Sequence, residues 1–440
     1  MSTANTCMTS ANRYKAPLED FWAIFNGNEQ YTDKDFTTDA SSILWTDHGE
    51  THLSDLVPNI EWVRASVAFP GHTLWGSEGV TPDDIDQSAL GNCYWLAAAA
   101  SLAEVPGRIE AIFLSKDNAQ SPNGIYAVNL HPFGMPHTVI VDDYLPLKKN
   151  GDGYRPEFAQ MGNDQSIWVA ILEKAFAKLH GNYAHLAGGS SNMAMQNIIG
   201  GPVGTRDHKQ DNATEEDINA LFTELQAMDN ANHMFTAGSA RTDHGMVGGH
   251  AYSVLGVHTL STGARLVKMR NPWGSERYRG DWSRDSALWN EQLKREVDEK
   301  GQNDGTFFMS IEDYNWTFRY TSLAFDVSTM HKASFMMIDD ATQKLNHGDY
   351  SWCGADCVRH ELTLYSEVDQ KVFLAANTQD GRGVSNDCKP NTGKSNSIFG
   401  RLMSSRVYTW RGGNRLLPDF MMKAGESMKI MTEFDFTDPL

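Results

Sequence analysis

The sequence predicts an α+β protein with a helical lobe, a β-rich lobe and a β-sandwich at the C-terminal end. Three observations carry this expectation. Gln87–Leu102, QSALGNCYWLAAAASL, sets a polar turn ahead of an alanine-rich run of high helix propensity, which Val105-Pro106-Gly107 ends. Further on, apolar alternation marks expected strands at Met234–Ser239, Ala251–Thr259, Arg265–Arg270 and Phe307–Ile311. From about Val327 short apolar segments are separated by turn residues: Ser334–Ile338, Val358–Ser366, Lys371–Ala376, Arg406–Trp410 and Ser427–Phe436. That spacing suits a sandwich.

The expected division is residues 1–29 as an N-terminal extension, 30–202 as the helical lobe, 203–326 as the β-rich lobe and 327–440 as the sandwich. Residues 1–13 are small and polar, a composition that resists folding. LEDFWAIF (Leu18–Phe25) is apolar enough to pack as a short helix. In the helical lobe, Gly124–Leu130 and Pro136–Asp142 alternate like a hairpin, and Ile167–Leu179 sets apolar residues at helical spacing, an ordinary core face. Gly200-Gly201-Pro202 is the breaker before the second lobe, and Glu215–Met228 reads as the helix that opens it.

Composition excludes several functions. At 40% hydrophobic and 21% charged the chain is an ordinary globular protein, while a net charge of −19 opposes binding to nucleic acid or to anionic lipid. Membrane contact through the sandwich therefore has no support in the sequence. Five cysteines without disulfide-scaffold spacing fit a reducing compartment. Cys353 and Cys357 lack a second pair with zinc-ligand spacing and are taken as structural. MSTANTCMTS has no apolar leader core, so the expected location is cytoplasmic.

The chemistry gathers on separated residues. Cys93 sits where the alanine-rich helix should begin, and free backbone N–H groups and the macrodipole there favour a thiolate. Gln87 could donate to an oxygen beside the sulfur. Taken alone, Cys93 is as well explained by burial in a helix core. What tips the balance is Gly248-Gly249-His250-Ala251-Tyr252-Ser253-Val254 and, further on, Arg270-Asn271-Pro272-Trp273-Gly274. Cysteine as nucleophile, histidine as base and then acid, and asparagine as orienter, in that order, make a working trio. His244 and His258 lack the Gly-His-Ala context and are read as solvated or structural.

These motifs resemble the catalytic core of calpains: Q-x-x-L-G-[DN]-C before an Ala-rich helix, then G-H-A-Y-S-V, then R-N-P-W-G, supported by Val141–Pro146, Trp168–Ala175 and Leu186–Gly189. The likeness implies a two-lobed, papain-like cysteine protease core with a C2-like sandwich behind it. It implies a triad of Cys93, His250 and Asn271, with an oxyanion hole from Gln87 and the Cys93 N–H. Gly91, Gly249 and Trp273 would line the substrate, Trp273 also covering the His–Asn bond. One departure is Asn92-Cys93-Tyr94, where calpains usually read D-C-W. No D-x-D-x-D-G loop of the EF-hand type follows, so no small EF-hand subunit is expected; the partners are protein substrates.

Calcium is the family's activator, and its ligands are only partly present. In the first lobe Gly79 and Asp84 match, but Ser166 stands at the glutamate position. In the second lobe Arg277 and Arg284 fall on acidic positions, and D-G-E becomes Asp304-Gly305-Thr306. The expectation is that no cofactor is obligatory and that Arg277 or Arg284 pairs with Asp304. A shift of one residue would instead bring Glu276 and Asp285 into place. The leading function is a cysteine endopeptidase making limited cuts in proteins. The alternatives are a non-catalytic calpain-like scaffold and, with Asn271 against it, acyl transfer of the transglutaminase kind.

Overall fold

The computed structural model describes residues 20–45, 50–132 and 136–326, and beyond them 328, 357–372, 375–376, 400–404, 415–416, 420–422, 424 and 426–435. Residues 1–13, Cys353, the segments Ser334–Ile338 and Arg406–Trp410, and the backbone between 377 and 399 lie outside them.

The chain enters through α1 (Phe21–Phe25), capped by Asp20 and seated on Ile125, Ala127 and Ile140. Next come β1 (Glu61–Arg64) and α2 (Cys93–Ala103). After α2, β2 (Ile125–Leu130) pairs antiparallel with β3 (His137–Asp142), the hairpin expected from alternation. Then β4 (Tyr144–Asn150) pairs with both β1 and β5 (Gly153–Pro156). α3 (Trp168–His180) follows and stops at Gly181, whose positive φ of 103° a residue with a side chain would resist. α4 (Ser191–Ile199) closes this half. One apolar cluster surrounds α2 and α3, built on Trp95, Leu96, Trp168, Ile171 and Phe176.

The second half carries β6 (Val203–Asp207) and α5 (Glu215–Asn230). At its start the Thr214 hydroxyl and the Asp217 carboxylate satisfy each other's backbone N–H, a reciprocal cap. Then come β7 (Met234–Ser239), β8 (Ala251–Thr259), β9 (Arg265–Arg270), β10 (Thr306–Ser310), α6 (Ile311–Thr317) and β11 (Phe318–Ala324). The six strands form one antiparallel sheet in the order β10-β9-β8-β7-β11-β6. The strand expected at 307–311 begins one residue earlier, and Ile311 opens a helix because the Ser310 hydroxyl caps Asp313. A second apolar cluster forms here around Tyr252, Val254, Met269, Phe307 and Tyr314.

α2 joins the two clusters. Ala97 to Ala100 are fully buried, and their small side chains let the helix lie close against the sheet. There Ser253 Oγ donates to Ala97 O at 2.9 Å, and Phe235 N–H donates to Ser101 Oγ at 2.9 Å. Beyond 326, Cys357–Ser366 pairs antiparallel with Glu426–Asp435, which also pairs with Gly400–Ser404. Two shorter pairs join Gln370–Val372 to Phe420–Met422 and Ala375–Ala376 to Arg415–Leu416.

Candidate active site

Cys93 is the first residue of α2, as its sequence context implies, and is partly buried. The backbone N–H groups of Ala251, Tyr94 and Cys93 itself favour the charged sulfur. Burial outweighs them, and the Cys93 thiol is pushed up from its ordinary value rather than down. Burial around the sulfur thus opposes the thiolate that the helix terminus favours. The Ala251 contact also brings the sulfur beside the residue that follows His250.

His250 is 5% exposed and Asn271 is fully buried. His250 Nε2 lies 2.9 Å from Asn271 Oδ1. The amide orientation is fixed from both sides, since Trp273 N–H donates to the same Oδ1 at 3.2 Å and Nδ2 donates to Ser275 O at 3.0 Å. An amide oxygen only accepts, so Nε2 carries the proton and the Nδ1 lone pair is left for the thiol. Burial draws His250 below the usual imidazole range, with the Asn271 hydrogen bond opposing. Buried thiol and buried imidazole thus both favour neutrality at rest. Ser239 fixes the His250 backbone, its hydroxyl accepting from His250 N–H at 3.1 Å. The Trp273 ring centroid stands 4.6 Å from that of His250.

Gln87 N–H donates to Pro272 O at 2.8 Å, and its side-chain Nε2 donates to Leu90 O at 2.7 Å. Gly91 is exposed, its carbonyl accepting from Gly188 N–H at 2.8 Å. Gly249 is exposed at φ +68°, a conformation that glycine adopts freely just before His250. Of the two histidines set aside, His244 is exposed and His258 packs beside Phe308, so neither joins the group.

Sequence reasoning missed the support behind Cys93. Asn92 is 1% exposed and donates through Nδ2 to Glu173 Oε1 at 2.7 Å; Glu173 Oε2 accepts Ala159 N–H at 3.0 Å. The carboxylate absent from position 92 is thus matched by one on α3, 81 residues away. Burial pushes Glu173 up to about 7, with those two donors opposing.

Asp84 and Ser166 stand at two of the positions matched to calcium ligands. Asp84 accepts from Thr81 N–H and hydroxyl at 2.9 and 3.3 Å and from Trp168 Nε1 at 2.8 Å. Burial holds Asp84 up at about 6, and Asp164 adds to the rise. Ser166 offers only a buried hydroxyl with no partner. The expected pairing of Arg277 or Arg284 with Asp304 is not what the structure shows. Arg284 lies 3.8 Å from Glu276 and 3.5 Å from Asp285, Arg277 lies over the Trp273 ring at 5.8 Å, and Asp304 accepts Thr306 N–H. The loop turns Arg284 back on its own acids, which are the residues a one-residue shift would have made ligands. Among the described residues no group of three or more His, Cys, Asp or Glu is placed to hold a metal ion.

A thiol at a helix start, met by the N–H of the residue that follows His250, together with a buried imidazole–amide pair, is the arrangement of the cysteine protease class. The family profile for calpain family cysteine proteases matches residues 31–324, and the chain belongs to that family. It is 33% identical over 310 residues to a calpain-type cysteine protease of Oryza sativa subsp. japonica, covering 67% of this chain and 14% of that protein. It is 34% identical over 270 residues to Calpain-12 of Mus musculus (59% and 36%), and 31% over 274 residues to a calpain of Schistosoma mansoni (60% and 36%). The match thus spans well under two thirds of these relatives. Among the described residues no helix is long and apolar enough to cross a membrane.

Proposed function

We propose that this chain is a cysteine endopeptidase that makes limited cuts in protein substrates. The observation that carries the reading is the His250 Nε2–Asn271 Oδ1 bond, because it leaves the Nδ1 lone pair unprotonated on the residue just before Ala251, whose N–H meets the Cys93 sulfur. Extended substrate lies between the two apolar clusters, which act as lobes, against Gly91 and Gly249. As the Cys93 sulfur attacks the peptide carbonyl carbon, its proton passes to His250 Nδ1. The carbonyl oxygen gains the negative charge, which the Cys93 N–H and the Gln87 amide stabilise. Collapse breaks the C–N bond, and the Nδ1 proton goes to the leaving amine. Water then gives a proton to Nδ1 as its oxygen bonds the thioester carbon; the C–S bond breaks, the sulfur takes the Nδ1 proton, and the acid leaves with the thiol restored. Trp273 keeps solvent from the His–Asn bond during both halves.

Nothing in this cycle calls on a metal, and the loop that would hold one in the second lobe is closed by Arg284 on Glu276 and Asp285. The proposal includes catalysis without calcium. Unfolded casein incubated with the protein in EDTA or in calcium is the test, with Cys93→Ala alongside. Expected is cleavage that EDTA changes by less than about twofold and that Cys93→Ala lowers by at least about 10³-fold. Full cleavage by Cys93→Ala would remove the protease reading, and a steep calcium requirement would remove the metal-free part alone.

A further inference from the structure

A cavity of about 250 Å³ lies beside the site, lined in part by Asp83, Asp86, Met161, Arg270, Gly274 and Asp304. Arg270 is the unusual member. Its side chain is 1% exposed, yet Nε and Nη1 make no hydrogen bond. The nearest anion is Asp83, with Oδ1 3.4 Å from Nε and the backbone oxygen 3.4 Å from Nη2. A guanidinium keeps its proton even when buried, so its charge must be balanced by what faces it. Burial pulls Arg270 down from its ordinary value, and Asp83, Asp304 and Asp86 oppose that pull.

The placement of these groups along the chain gives the cavity a meaning. Asp83 and Asp86 lie on the segment that leads through Gln87 into Cys93. Arg270 ends β9 immediately before Asn271. The same two segments are joined by the Gln87 N–H to Pro272 O bond at 2.8 Å. Asp304 adjoins Gly305, whose carbonyl accepts Asn271 N–H at 2.9 Å. The charge contact and the backbone bond therefore span one seam, with the nucleophile on one side and its base and orienter on the other.

We infer that Arg270 is a positioning residue: held electrostatically by Asp83 and Asp86, it clamps the His250–Asn271 wall against the Gln87–Cys93 wall. Its consequence for turnover rests on the protease reading above, whereas its effect on the seam does not. The clamp is electrostatic rather than tightly hydrogen-bonded, and one partner is half-exposed, so the seam loosens when that charge is removed or screened.

The Gln87 amide reports the seam directly through hydrogen–deuterium exchange, without any turnover. In Asp83→Asn, exchange at Gln87 is expected to quicken roughly fivefold and kcat on casein to fall by a similar factor, with KM and the melting temperature unchanged. Asp83→Glu should restore both. Salt at about 1 M on the unaltered protein should quicken Gln87 exchange without any substitution, which covers the case of a variant that folds poorly. Unchanged Gln87 exchange in Asp83→Asn and in high salt would overturn the clamp, as would a loss of kcat that Asp83→Glu fails to restore. Quickened exchange in a protein that cleaves nothing would leave the clamp standing and remove the protease reading.

Discussion

Glu173→Gln tests the support behind Cys93. Glu173 is 2% exposed and accepts one hydrogen bond from Asn92 and one from Ala159. Burial raises it from 4.5 to about 7, about 3 kcal/mol of preference for the neutral form. Between those two values the native state holds more of this proton than the unfolded chain does. Stability therefore falls as pH rises through that window, and the penalty is complete above about pH 7 and absent below about pH 4.5. Glutamine mimics the protonated acid: its oxygen can accept from Ala159, and its amide can donate to Asn92 Oδ1, a buried atom with no partner in the ionised arrangement. Urea unfolding at a series of pH values is the assay. The variant should match the unaltered protein near pH 4.5 and exceed it by about 3 kcal/mol near pH 8. A difference that stays constant across that range would refute the reasoning, because it would mean Glu173 does not change its protonation on folding.

Two further outcomes follow from single contacts. Gly124→Ala should destabilise by about 3 kcal/mol in the same unfolding assay, because φ is +66° and a Cβ would stand 2.4 Å from Asp143 Oδ1, breaking the Arg64–Asp143 pair. Asn271→Ala leaves the His250 Nε2–H and the Trp273 N–H without an acceptor in a closed site, so kcat on casein should fall about 10²-fold while stability drops by about 2 kcal/mol, read by steady-state kinetics and urea melts together.

The sequence was most legible where one short pattern decides one local outcome. Met234–Ser239, Ala251–Thr259 and Arg265–Arg270 start and stop where alternation did, since each faces a core across a single sheet. β11 was passed over because FRYTSLA does not alternate; it lies between β7 and β6, with Thr321 and Ser322 buried beside Leu323 and Ala324. The sheet of β1, β4 and β5 is hidden in the sequence because β1 lies far ahead of the β4–β5 hairpin and meets it only in the tertiary fold. At the site, Cys93, His250 and Asn271 could be named from their motifs, as the nature of each group follows from its immediate neighbours. The bond from Asn92 to Glu173 and the seam at Arg270 could not, for each joins residues far apart in the chain that only the tertiary fold brings together.

The same distinction explains why Arg284 was assigned the wrong partner. Charge sign alone made Asp304 and Glu276 equivalent choices, and the loop backbone decides between them. Arg284 N–H donates to Glu276 Oε1 at 3.0 Å, so the carboxylate is drawn to the Arg284 backbone before its guanidinium is considered. Glu276 is 3% exposed and pushed up by burial, against that N–H and the Arg284 charge. Its own N–H donates to Asn303 Oδ1 at 2.9 Å, anchoring the loop beside the segment that carries Asp304. One residue earlier, Ser275 O accepts the Asn271 Nδ2 hydrogen that fixes the amide toward His250. A loop closed on its own charges thus helps set the orientation of the His250–Asn271 pair, while Asp304, which accepts the Thr306 N–H, lines the cavity with Arg270.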